Sequence, residues 1–157
     1  MITMVILFNY LSHLRNNKLK TIDMNKLLKN VIAVILGVVV GSVVNMGLIK
    51  VGHALFPIEG VDPNDMEALK AAMPNMDPIH LLFPFLAHAL GTLVGAFVAF
   101  KVAASHQFKF AMAIGLVFFL GGISAAFMLP APIWFIVLDL GLAYFPMAWL
   151  ATRGSKA

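Results

Sequence analysis

The sequence predicts an all-α integral membrane protein, built as a bundle of four transmembrane helices. Hydrophobic residues make up 61% of the 157-residue chain and charged residues only 11%, and the mean hydropathy is +0.94. These values lie outside the range of soluble globular proteins. A spanning helix needs about 20 mostly apolar residues, and four stretches approach that length. They are apolar throughout, whereas barrel strands would alternate every second residue.

The predicted spans occupy residues 31–49, 81–100, 111–129 and 133–150, within one domain of residues 24–157. Residues 1–23 are set apart, because their apolar run is too short to span and no basic residues precede it, as they would in a signal peptide. Met24 opens a more usual beginning, with lysines before the first span. Residues 1–23 are therefore expected to be either an extension upstream of the natural start or an interfacial segment.

The basic residues predict which way the bundle faces. Nine of the 11 fall before the first span, between the second and third, or after the fourth. The loop of residues 56–79 holds five acidic residues instead. By the positive-inside rule, both termini are cytoplasmic and this loop is external. No basic patch is interleaved with aromatic residues, so the expected partner is the lipid bilayer and no nucleic acid is expected.

The external loop contains the signals of a short helix. Asp62 and Pro63 are typical of a helix start and Pro74 of its end. The expected element is an amphipathic helix on the outer membrane surface, with an irregular acidic loop as the alternative. Its apolar face would consist of Met66, Leu69 and Met73. Asp77 is expected to cap the second span in the same way.

Two stripes of small residues match each other in the first and second spans. Gly37 and Gly41 continue a four-residue spacing in the first span, and Gly91 and Gly95 do so in the second. In lipid, helices associate by close packing of such stripes, because hydrophobic burial does not drive them together. The two stripes are expected to face each other within one chain. Homodimerisation through one of them is the alternative.

Each span also contributes one polar side chain in the outer half of the bilayer, about 7–12 Å below its external end at 1.5 Å per residue. These residues are Asp139, His88, Asn45 and Ser124. A lone aspartate in a span costs about 2.5–3.5 kcal/mol, so Asp139 should face the interior and find a partner. His88 is the best candidate for this partner. Asn45 and Ser124 could complete the hydrogen bonds of the pair that Asp139 and His88 form. Burial disfavours both charges and proximity favours the ion pair, which leaves the protonation state open.

Four residues at the external mouth, His53, Glu59, Asp77 and His80, could collect cations. Their spacing matches no metal-binding motif, so neither a metal site nor a cofactor is expected. The chain has no cysteine, which excludes thiol redox chemistry and thiolate metal sites. No nucleophile motif or phosphate-binding loop is present, and an enzyme is not expected.

Two segments carry a resemblance to other proteins. "PFLAHALGTLVGAF" and "WFIVLDLGLAYFPMAW" resemble segments of small four-span proteins of the bacterial inner membrane. This resemblance implies the fold and location but no activity. In size and number of spans the chain is also similar to small multidrug-resistance transporters. Their essential carboxylate is a glutamate in the first span, where this chain has no acid, so no functional residue transfers.

Two hypotheses for function follow. In the first, the protein is a small proton-linked or cation-linked permease, or a proton-handling membrane subunit, centred on Asp139 and His88. In the second, it is a structural or assembly protein that transports nothing, and its polar layer only fixes how the helices pack. The residues do not name a small-molecule or ion substrate.

Overall fold

The computed structural model describes the backbone of residues 2–154 and the side chains of residues 12, 13 and 23–154. Within that part of the chain it contains helices and no strands, which confirms the all-α prediction. The α-helices are α1 (Ile2–Leu55), α2 (Met66–Ala72), α3 (Pro78–Val102), α4 (Gln107–Met128), α5 (Ile133–Leu142) and α6 (Phe145–Arg153), with a 3₁₀ helix at Met73–Asn75.

Four helical segments are long and apolar enough to cross a membrane. They are Asp23–Leu55, Pro78–Val102, Gln107–Met128 and Ile133–Arg153. Each contains one predicted span, apart from a single residue at the end of the third, and the fourth combines α5 and α6. The protein is therefore a multi-pass membrane protein.

Helix α1 runs from Ile2 to Leu55 without a break, so the predicted boundary after residue 23 does not coincide with a helix end. At 1.5 Å per residue this helix is about 80 Å long, far more than the roughly 30 Å of the hydrocarbon core. The side chains of residues 1–11 and 14–22 lie outside the described part of the chain. The interpretation of residues 1–23 as an extension or interfacial segment stays a prediction.

The two glycine stripes bring the backbones of α1 and α3 into contact. A Cβ atom on Gly37 would lie 2.7 Å from the carbonyl oxygen of Gly95, and one on Gly95 would lie 2.6 Å from that of Gly37. Gly41 and Gly91 form the same arrangement, at 2.7 and 2.9 Å. No side chain fits at these positions, so the stripes face each other within the chain. A homodimer through the same stripes would have to replace this pairing.

Small residues also let α4 pack against both α3 and α6, which contact each other as well. Ile114 of α4 is fully buried, and a Cβ on Gly115 would lie 2.8 Å from the Cβ of Ala148 in α6. The buried cluster around Ile114 consists otherwise of alanines: Ala96, Ala99, Ala111, Ala148 and Ala151. The connection between α4 and α5 is short, so the third and fourth spans are antiparallel neighbours, as its length predicts.

The predicted cap of the loop helix is wrong, whereas that of the second span lies where it was predicted. Helix α2 begins at Met66, and its N-cap is Asp65, whose side chain accepts from the N–H groups of Glu67 and Ala68. The side chain of Asp62 instead accepts from the N–H of Asn64 at 2.8 Å. An aspartate that bonds the backbone two residues ahead forms a turn rather than a helix start. Asp77 is the N-cap residue of α3, which begins at Pro78, but its exposed side chain makes no capping hydrogen bond.

At the end of the bundle opposite to α2, a polar contact joins α1 to the connection between α3 and α4. The buried amide oxygen of Asn30 accepts from the N–H groups of Ala104, at 2.9 Å, and Ser105, at 3.3 Å. Its amide nitrogen donates to the hydroxyl of Ser105 at 3.0 Å. Asn30 therefore satisfies loop groups that the helices cannot pair.

Candidate functional site

The fourth span is interrupted one turn beyond Asp139. Helix α5 ends at Leu142 and α6 begins at Phe145, because Pro146 has no N–H to donate to the carbonyl of Leu142 and its ring would collide with that carbonyl. Tyr144 occupies the break with φ −115° and ψ −80°, outside the helical region. In a straight helix, side chains five residues apart point about 140° away from each other. The break instead lets Asp139 and Tyr144 face the same point.

Asp139 is the centre of a buried polar cluster. Only 4% of this residue is exposed. Its Oδ1 and Oδ2 atoms lie 3.0 and 2.9 Å from Nδ1 of His88 in α3, and Oδ2 also accepts from the hydroxyl of Tyr144 at 2.8 Å. The structure thus brings Asp139 and His88 together and adds Tyr144. These three residues are called the Asp139 cluster below.

Tyr144 is held in place by its surroundings. It is 1% exposed, and its ring lies 5.8 Å from the His88 ring and 5.9 Å from that of Phe119 in an edge-on arrangement. Its hydroxyl lies against Gly122 of α4, where a Cβ would overlap the hydroxyl oxygen. The glycine therefore makes room for the hydrogen bond between Tyr144 and Asp139. The sequence analysis missed Tyr144, although Pro146 nearby signals the break that brings it in.

The other two residues of the predicted layer do not bond to the cluster. Ser124 is exposed and donates to the carbonyl of Leu120 in its own helix at 3.0 Å. It lies two residues from Gly122, which is about 200° around the helix, so it faces away from Tyr144. Asn45 is half-buried and packs beside Gly91. Among the described residues, no hydrogen bond joins Asn45 to the cluster.

Thr92 lies one turn along α3 from His88. Thr92 is fully buried, and its hydroxyl has no hydrogen-bond partner in the described part of the chain. The buried face of α3 therefore carries a second polar group below His88.

Two residues of the predicted mouth, His53 and His80, line the same cavity. His53 is half-buried, and Nδ1 of His80 lies 3.3 Å from the carbonyl oxygen of Phe56. Glu59 and Asp77 are exposed. Among the residues that the structure describes, no three His, Cys, Asp or Glu side chains are placed to hold a metal ion together.

The Asp139 cluster lies between two cavities. The larger, of about 470 Å³, is lined by His88 and Asp139 and by residues of α2 such as Leu69. The smaller, of about 260 Å³, is lined by Asn45, Tyr144 and His88. Asp139 thus faces the larger cavity, Tyr144 faces the smaller one, and His88 contributes to the walls of both.

His88 has the geometry of a proton carrier. Its Nδ1 is engaged by Asp139, and no described residue forms a hydrogen bond with its Nε2. The side chain is 19% exposed and forms part of the walls of both cavities. Histidine is the side chain whose charge changes most readily near neutral pH.

Comparison of the chain with protein-family models, curated protein sequences and solved structures gives no match. The resemblance to small four-span membrane proteins therefore stays a prediction, and the functional argument depends on the geometry of the Asp139 cluster and its cavities.

Proposed function

We propose that the protein is a small proton-linked or cation-linked permease of the bacterial inner membrane, with the Asp139 cluster as its ion-binding site. The observation that carries this proposal is the position of the cluster, a buried carboxylate whose histidine partner forms part of the walls of two cavities. Ionisable residues inside membrane bundles commonly mark ion and substrate pathways. Interrupted helices are likewise typical of transport sites in membranes.

The distribution of basic residues supports an orientation with both termini in the cytoplasm. In this orientation the loop of residues 56–77, including α2, is external, and the larger cavity lies on the external side of the cluster. The smaller cavity then lies towards the cytoplasm. The His88 imidazole is the group through which the two sides would communicate.

The charge of the cluster explains why it would take up a cation. With Asp139 ionised, His88 neutral and Tyr144 protonated, the cluster carries one negative charge. A net charge buried in a membrane protein is costly unless it is compensated. One proton on Nε2 of His88, or one bound cation, makes the cluster neutral. The site therefore favours the uptake of a single positive charge.

The alternative is a structural or assembly protein. The same hydrogen bonds join α3 to α5 and α5 to the turn before α6, and these contacts would fix the register of the helices even if no ion were moved. The two functions make different predictions for substitutions that remove the charge but preserve the shape of the cluster.

Proton flux into proteoliposomes tests the proposal. The purified protein is reconstituted with a pH-sensitive dye inside the vesicles, and a pH gradient is imposed across the membrane. Asp139→Asn and His88→Gln are expected to reduce proton entry to the rate of empty vesicles. Ser124→Ala is the control, because this exposed serine bonds only its own helix. Wild-type flux no faster than that of empty vesicles, or flux that persists in both variants while their thermal stability falls, would favour the structural role.

A further inference from the structure

We propose that the larger cavity binds an apolar molecule that carries a single protonated amine, with the ammonium group bonded to Asp139. This inference depends on the proposed function and deepens it, because it assigns the class of substrate to the same site. The size of the cavity, its lining and its charge support it separately.

The cavity has the size and walls of a small-molecule site. Its volume of about 470 Å³ lies within the range of about 300–1,000 Å³ that is usual for such sites. Most of the lining is apolar, and its aromatic and sulfur-containing members come from the helices and from the loop with α2. They include Phe56, Phe83, Phe135, Met46, Met66 and Met73. Aromatic faces attract cations as well as apolar groups, so these walls suit the body of an organic cation.

The charges select a cation over an anion. Among the described lining residues, Asp139 is the only carboxylate and there is no lysine or arginine; the other ionisable side chains are His53, His80 and His88. The loop beside the cavity, residues 56–77, contains five acidic residues and one lysine, Lys70. A surface with this balance raises the local concentration of cations.

The hydrogen-bonding groups favour an amine over a metal ion. Magnesium and calcium need about six or more oxygen ligands, and this end of the bundle offers one buried carboxylate. A protonated amine needs fewer partners. It can donate to Asp139 and, where His88 is neutral, to the free Nε2 of the imidazole. The amine thereby supplies the one positive charge that the cluster lacks, and it takes the place of the proton.

Equilibrium binding to the full-length protein in lipid nanodiscs tests this inference, with empty nanodiscs subtracted. The probes are three radiolabelled compounds with the same apolar body: phenylbutylamine, phenylbutanol and phenylbutyrate. The amine is expected to bind more tightly than the alcohol and the acid. Asp139→Asn should weaken amine binding about 10- to 100-fold, the usual value of a buried hydrogen bond to a charged group. The same substitution should change the affinity for the alcohol only slightly.

Two matched variants separate binding in the cavity from loss of folding. Ala126→Phe adds a ring to the cavity wall in α4 and should abolish amine binding, since Ala126 lines the cavity. Ala54→Phe makes the same change at an exposed position outside the lining and should bind like the wild type. Size-exclusion profiles confirm that each variant is folded.

Equal binding of the amine and the alcohol, unaffected by Asp139→Asn, would show an apolar cavity for lipid chains and overturn the inference. Preference for the acid, or amine binding that survives Ala126→Phe, would also overturn it. Proton flux measured on the same preparations separates the two proposals. Flux without amine binding overturns only the substrate class, whereas amine binding with no proton flux, either with or without the amine present, supports the site and overturns the permease.

Discussion

Gly122 is the residue whose substitution most directly tests the role of Tyr144. A Cβ added at Gly122 would overlap the Tyr144 hydroxyl and lie 2.5 Å from its Cζ atom. Both groups are enclosed, so Tyr144 must move and lose its 2.8 Å hydrogen bond to Asp139. A hydrogen bond to a charged group contributes about 1.5–3 kcal/mol. Replacing glycine by alanine in a helix stabilises the folded state by about 1 kcal/mol. Gly122→Ala should therefore destabilise the protein by about 0.5–2 kcal/mol.

The assay is reversible unfolding in mixed detergent micelles, followed by circular dichroism. Gly121→Ala is the matched control, because it lies next in the same helix and its Cβ would meet nothing within 4 Å. It should be neutral or stabilising. In a Tyr144→Phe background the hydrogen bond is already absent, so Gly122→Ala should cost at least about 1 kcal/mol less. Equal stability of the Gly121 and Gly122 variants, or additive effects of Gly122→Ala and Tyr144→Phe, would refute the reasoning.

Three further predictions concern other parts of the bundle. Gly91→Ala should separate α1 from α3 and lower the free energy of unfolding. Gly47→Ala should not, because nothing lies within 4 Å of the Cβ that it adds. The same unfolding assay checks both variants. Asn30→Ala leaves loop N–H groups without a partner, so amide exchange in residues 103–106 should become faster, and protection equal to the wild type would contradict this. Asp65→Ala should destabilise α2 by about 1 kcal/mol and Asp77→Ala should leave α3 unchanged, as measured by amide exchange in each helix.

The sequence predicts most of the fold because bilayer thickness and backbone hydrogen bonding restrict the possible structures. A long apolar stretch has to be a helix, and small residues at four-residue spacing identify the surfaces through which helices pack. Gly37 and Gly41 could be matched to Gly91 and Gly95 for that reason. The cost of burying Asp139 likewise indicates that it needs a partner, and His88 was the only ionisable residue at a similar depth in another span.

The remaining details depend on rotation about the helix axis and on local breaks, which depth alone does not give. Ser124 was counted at the level of Asp139, but its side of the helix faces away from the cluster. Pro146 predicts a kink in the fourth span, but a kink alone does not say which side chain it turns towards Asp139, and Tyr144 was missed for that reason. Asp62 and Asp65 both have the chemistry of a cap, and only the turn at Asn64 decides which of them begins the helix.

The interruption at Ala143 and Tyr144 leaves α5 as a helix of only ten residues. Helices α1 and α3 are held together differently, because they touch backbone to backbone along their glycines. Helix α5 is joined to its neighbours by side chains, and the hydrogen bonds of Asp139 connect it to His88 in α3 and to Tyr144 in the break. A single carboxylate is therefore a main polar attachment of this short helix to the rest of the bundle.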